Sequence, residues 1–153
     1  MTRRLAPLAL ALIALLAPPG WAAATPSDAD CSVDAARKYR LKPALARGLP
    51  VTVTCDGAAT FFVAVKFTGH GEDHINREAH SGVEGWSATV DLADAGSRTV
   101  RVKLQKYAKR AAKKTLAERR SFRIFFDMGI ERPDGNFHNI PKPAAQPYSK
   151  IVR

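Results

Sequence analysis

Apolar residues recur with period two along much of this chain. Val51, Val53 and Cys55 alternate with Thr52 and Thr54, and an Asp56-Gly57 turn follows. Phe61, Val63, Val65 and Phe67 then share one face. The segment "GWSATVDL" predicts Trp86, Ala88, Val90 and Leu92 inward, with Ser87, Thr89 and Asp91 outward. Ala93 to Gly96 turns the chain. Val100, Val102 and Leu104 come next as inward residues, with Arg101 and Lys103 outward. Phe122, Ile124, Phe126 and Met128 form the last such set. Short alternating runs separated by Gly and Asp turns predict a half-buried antiparallel sheet, in the form of a sandwich. The inward residues are mostly β-branched or aromatic, as a pleated core requires.

One segment departs from this period. Gln105 to Arg119, "QKYAKRAAKKTLAER", has Thr115 as its single β-branched residue and is rich in Ala, Lys and Arg. These are good helix formers. Ala108, Ala111, Ala112 and Leu116 fall at helical spacing, which predicts a short crossover helix between two strands. Its other faces carry Lys106, Lys109, Arg110, Lys113 and Lys114, with Arg119, Arg120 and Arg123 close by. Upstream, Ser32 to Gly48 reads as a helical turn or an irregular edge, limited by Pro43. Downstream of Met128, Pro133, Pro141, Pro143 and Pro147 predict an extended tail with a late edge strand at Tyr148 to Val152. The chain shows no internal repeat.

The stretches "LARGLPVTVTC", "AGSRTVRVKLQKYAKRAAKKTLAERRSFRIFF" and "DMGIERPDGN" resemble secreted bacterial immunoglobulin-like β-sandwich modules in order and spacing. The likeness covers Lys42 to Asn136 and consists of apolar and turn patterns. It implies a mainly β, antiparallel immunoglobulin-like sandwich with one short crossover helix, in an accessory or structural part of an exported protein. It implies no chemistry. Two departures stand out. Such modules often carry a second cysteine soon after the first, where this chain has Asp56 to Ala59. The loop from Thr68 to Gly82 is also longer and richer in histidine than the pattern.

The N-terminus changes the picture of where the protein works. Arg3 and Arg4 precede an apolar run, Leu5 to Ala17, then Pro18, Pro19 and Gly20, then Ala22-Ala23-Ala24. This order predicts a secretory signal peptide over residues 1–24, cleaved near Ala24. The run is too short for a spanning helix, which needs about 20 apolar residues. The expected product is periplasmic or secreted. Its parts are an N-terminal segment (25–48), a β-sandwich domain (49–128) and a Pro-rich tail (129–153). Outside the cytoplasm, an even pair of cysteines predicts a structural disulfide, here Cys31–Cys55. A redox role has little support, since there is no Cys-x-x-Cys. The formal net charge of +10 points to anionic partners such as cell-wall polymers, lipid head groups or released nucleic acid.

Candidate chemistry gathers in "TGHGEDHINREAHSG". His70, His74 and His80, with Glu72, Asp73 or Glu78, are ligand types that suit Zn(II), Cu(II) or Ni(II). Gly69 and Gly71 disfavour the helix that would align His70 with His74, and no His-Glu-x-x-His is present, so a solvated loop is the plainer reading. Ser81 follows His80, but no Gly-x-Ser-x-Gly elbow is present and acids are scarce. "RPDGNFHN", Arg132 to Asn139, reads as a turn and lacks the oxygen ligands of a calcium loop. The basic helix, Lys106, Lys109, Arg110, Lys113 and Lys114, is the candidate anion-binding surface. Its single aromatic, Tyr107, argues against base stacking and sequence-specific nucleic-acid binding. The expected function is therefore non-catalytic: an exported binding or structural module of the cell envelope, without a cofactor, contacting anionic polymers or another envelope protein. A metal-binding protein built on the His-rich loop is the alternative, and a hydrolase comes third.

Overall fold

The structure, a computed structural model, describes residues 29–72, 74–75, 82–131, 135–140 and 148–153, with backbone alone at residues 70 and 138–140. The expected signal peptide, His80, the Pro-rich segment 141–147 and residues 132–134 of "RPDGNFHN" lie outside the described residues, while Phe137 to Asn139, read as part of that turn, instead begin a strand. The fold is mainly β, a curled, antiparallel-rich sheet with two helices. Its strands are β1 (Cys31–Ala35), β2 (Lys38–Arg40), β3 (Leu49–Cys55), β4 (Ala59–Thr68), β5 (Gly85–Trp86), β6 (Val90–Leu92), β7 (Gly96–Leu104), β8 (Ser121–Glu131), β9 (Phe137–Ile140) and β10 (Ser149–Val152). The helices are α1 (Leu41–Arg47) and α2 (Lys106–Glu118). The strand order is β1-β3-β7-β5-β4-β8-β10-β2, with β6 on β4 and β9 on β8.

The four long alternating runs form β3, β4, β7 and β8, and their inward residues build one core with Phe61, Phe67, Ile124 and Ile130 at its centre. α2 buries Ala108, Ala111, Ala112, Thr115 and Leu116. Its last carbonyls, on Leu116 and Ala117, accept hydrogen bonds from the Arg153 guanidinium at 2.5 and 2.8 Å. A cation placed there also meets the negative end of the helix dipole. The helical turn expected between Ser32 and Gly48 forms as α1, but two strands, β1 and β2, precede it in a segment where alternation is too short to show them. Pro43 sits in the first turn of α1, where backbone amides have no helical partner to lose. The late strand β10 also forms, but it lies between β8 and β2 rather than at an edge. Its pairing with β2 is parallel.

The segment from Gly85 to Leu92 corrects the alternation read from sequence. It is two short strands rather than one, and Trp86 is 51% exposed while Ser87 is buried. The reason is a break at residues 87–89, which shifts the inward set.

The first and last strands of the order, β1 and β2, are consecutive in the chain and joined through Ala36 and Arg37. The sheet must therefore curl until its two ends meet. One side chain closes that seam. The Tyr39 hydroxyl donates to the Pro50 carbonyl at 2.8 Å and accepts from the Ala36 amide at 3.1 Å. Its ring meets Phe126 edge-on at 6.1 Å. At the other end of the β1–β3 ladder, Cys31 and Cys55 face each other directly, Cα to Cα 4.1 Å, and form the expected disulfide. The chain-entropy model assigns a loop of this size about 3 kcal/mol.

Burial, helped by the negative charge of Asp34, pushes the Tyr39 phenol up to about 12, against the lowering effect of the Ala36 amide. A phenol that ionises near pH 10 when unfolded but near 12 when folded stabilises the fold fully below pH 10. That contribution is lost as pH rises towards 12. Tyr39→Phe should lower stability by about 1–3 kcal/mol at neutral pH, because it strips a partner from two backbone groups. It should also flatten the fall of the urea midpoint over the pH window from 10 to about 12. An unchanged alkaline slope in the variant would rule out Tyr39 as its source.

Candidate functional site

β5 is two residues long, yet it is the strand that joins the ladder β1-β3-β7 to the rest of the sheet. Two flanking side chains extend it. On one side Glu84 donates its amide to the Val65 carbonyl (2.9 Å), and its carboxylate accepts the Phe67 amide (2.8 Å). The Glu84 carbonyl also accepts the Gln105 amide at the entrance to α2 (2.9 Å). On the other side Ser87 donates its amide to the Val63 carbonyl (2.8 Å), and its hydroxyl accepts the Val63 amide (3.0 Å). Side-chain oxygens thus satisfy amides of β4 that a longer strand would satisfy with backbone. This is why Ser87 is buried where alternation put it outside. Tyr107 of α2 donates its hydroxyl to the Val83 carbonyl and holds the same segment.

Gly85 allows the junction to close. A methyl group there would lie 2.4 Å from the Lys103 carbonyl oxygen, so only glycine lets β5 approach β7 this closely. The contact also orients β7: the Lys103 carbonyl points to the β5 side.

Beyond Trp86 the two ladders part. β6 stays with β4, β7 stays with β3, and a cleft of about 680 Å³ opens between them. Val90, Val100 and Leu104 supply its apolar lining, and Arg98, Arg101, Lys103 and Lys106 supply cations. Among the described residues, no carboxylate lines it. All four cations are exposed, and none makes an ion pair with the described residues. Trp86 stands at its edge beside its ladder partner Lys103.

Lys106 belongs to both this cleft and the basic helix. Of the residues proposed from sequence, Lys106, Arg110, Lys113 and Lys114 are exposed on α2 and Lys109 is half-buried. At about 100° per residue, all five fall within about 140° of the helix circumference, opposite the buried alanines. The cleft and this stripe therefore meet at Lys106 to form one cationic surface. Sequence reading found the helix half. Alternation alone makes Arg101 and Lys103 outward strand residues and puts Trp86 inside. The signal it lacked was three-dimensional: which strand edge is left open.

The His-rich loop is described in part. His70 lies in a 3₁₀ turn, Gly69–Glu72, and His74 follows it. The His74 Nε2 lies 3.0 Å from the Glu118 carboxylate at the end of α2, a close contact without hydrogen-bond alignment. The side chain of His70 and the whole of His80 lie outside the described residues, so the proposed three-histidine set does too. Among the described residues, no three metal-ligating side chains converge, and no helix is long and apolar enough to cross a membrane. Compared with known proteins, the chain matches no family model and no curated sequence.

The junction around β5 gives a graded expectation. Ser87→Ala and Glu84→Ala each leave a buried β4 amide without its partner and should cost about 1–3 kcal/mol. Gly85→Ala sets a methyl against fixed backbone and should cost at least as much, because no side chain can turn aside. Urea unfolding of the three variants measures this. Wild-type stability in Gly85→Ala would mean that β5 and β7 are not packed as described.

Proposed function

We propose that the protein is a non-catalytic, exported binding module of the cell envelope whose cationic surface receives an anionic partner. The observation that carries this reading is the cleft at the parted ladders. It brings together four cations and an exposed tryptophan, and among the described residues these cations have no ion-pair partner and no carboxylate lines the cleft. Clustered unpaired cations repel one another and weaken the fold slightly, and an anionic occupant removes that cost. The adjoining α2 stripe extends the positive field toward solvent. At physiological salt such fields reach about 8 Å, so contiguous patches act together and scattered ones do not.

Export is supported by the N-terminal pattern of basic, apolar and small residues and by the Cys31–Cys55 disulfide, which persists where thiols are oxidised. The immunoglobulin-like reading is supported by the order of the long strands and by the two ladders that part beside β5. No nucleophile, base and orienting group come together among the residues that line the cleft, which favours binding over catalysis.

Retention of the purified protein on immobilised polyphosphate, followed across a salt series, tests the reading. The logarithm of affinity should fall linearly with the logarithm of salt. Arg101→Glu with Lys103→Glu should weaken retention by about tenfold or more and make the slope shallower by about two. Reversal of Lys113 and Lys114 alone should have the smaller effect. Retention indifferent to salt, or to the Arg101 and Lys103 reversals, would exclude the cleft as the anion site.

A further inference from the structure

The cleft exposes more than charge: it exposes a strand edge. β7 pairs with β3 over its length from Gly96 to Val102, but β5 covers its other edge only at Lys103 and Leu104. Among the described residues, no strand pairs with that edge from Gly96 to Val102.

The direction of its backbone groups follows from register. The Gln105 amide bonds the Glu84 carbonyl, and the Lys103 carbonyl faces Gly85, so odd-numbered residues of β7 turn their amides and carbonyls toward β5. Ser97, Thr99 and Arg101 therefore turn theirs into the cleft. The opposite ladder agrees. Pro50 has no amide and stands across from Arg101, and its carbonyl is taken by Tyr39 on the far side. Thr52 and Thr99 touch through their hydroxyls at 3.1 Å, as close, non-hydrogen-bonded pairs do.

We infer that this edge is a receptor for an extended acidic polypeptide, which adds to β7 as a further strand. This rests on the reading of the cleft as the binding face. Backbone amides and carbonyls of β7 would supply affinity, and the side chains on either face would supply selection. In antiparallel addition, residues opposite Thr99 and Arg101 turn their own amides to β7 and their side chains to the outer, cationic face beside Lys103 and Trp86. Those positions call for Asp or Glu. The intervening residues face Val90 and Val100 and call for small apolar side chains. The ligand is thus a strand of alternating acidic and apolar residues. The same charges exclude a second copy of this chain, since two β7 edges would set Arg98 and Arg101 against their own kind.

The alternative is that the cations only guard an exposed edge against association, and a peptide series separates the two. The probe is a fluorescein-labelled peptide of about ten residues alternating Glu and Val, followed by anisotropy with the full protein. Two further peptides carry N-methyl groups, one on every Glu amide and one on every Val amide, with charge unchanged. Methylation at Glu should weaken binding by about tenfold or more, and methylation at Val should change it by less than about threefold. Thr99→Pro removes one amide from the open edge while keeping all charges and the β3 ladder bonds. It should weaken the unmodified peptide severalfold and leave polyphosphate retention unaltered. Equal binding of all three peptides, with polyphosphate retention intact, overturns strand addition and leaves an anion-binding surface. Loss of both peptide binding and polyphosphate retention overturns the wider reading as well.

Discussion

A strand of two residues joins two ladders that, among the described residues, have no other strand in common. β5 is too short to hold by backbone alone, and its grip comes from Glu84 and Ser87, whose side chains stand in for missing backbone. A longer β5 would have zipped β4 to β7 and erased the cleft. A weaker one would have let the ladders separate. The cleft exists because the junction is short and yet fully bonded. An unpaired buried amide costs about 1–3 kcal/mol, so the two that face Glu84 and Ser87 set the strength of the arrangement.

The opposite side of the molecule solves the complementary problem. There the sheet must come back on itself, because β1 and β2 are separated by two residues but lie at opposite ends of the strand order. Among the described residues, no ladder closes that gap. The Tyr39 hydroxyl closes it by bonding both sides. Both places use one device: a side-chain oxygen takes the role of a strand where curvature leaves no room for one. The disulfide fixes β1 to β3 at the other end of their ladder from the Tyr39 bonds, so the end strand is held at both of its ends.

How much of this can be read in the sequence follows from the same physics. Period two is visible wherever a strand is long and half-buried, so β3, β4, β7 and β8 and their core residues are expected from Val51 onward. Alanine spacing likewise predicts α2, and two cysteines predict the bridge that forms. The Trp86 to Leu92 run misleads because a break of three residues inside an alternating pattern leaves the pattern intact on paper. Ser87 is buried for its hydrogen bonds, and periodicity carries no trace of that. β2 offers a single inward residue, Tyr39, too little for any period, and its parallel pairing with β10 depends on how the whole sheet curls. The cationic helix is legible because its charges are close in sequence. The cleft is not, because Trp86, Arg98 and Lys106 are brought together only by topology.

Whether edge charges guard or recruit depends on what accompanies them. A guarding edge needs only repulsion, and scattered lysines facing solvent supply it. The β7 edge departs from that minimum in three ways. Its cations cluster rather than alternate with acids. It lies inside a cleft whose opposite side is lined at β6. And the side chain nearest its end is an exposed tryptophan, a large apolar surface that a purely defensive edge would omit. Repulsion alone explains the first feature and neither of the others. An open strand edge beside clustered cations and an exposed aromatic would suit an extended acidic chain in hydrogen bonding and charge at once, which is the strand addition we propose.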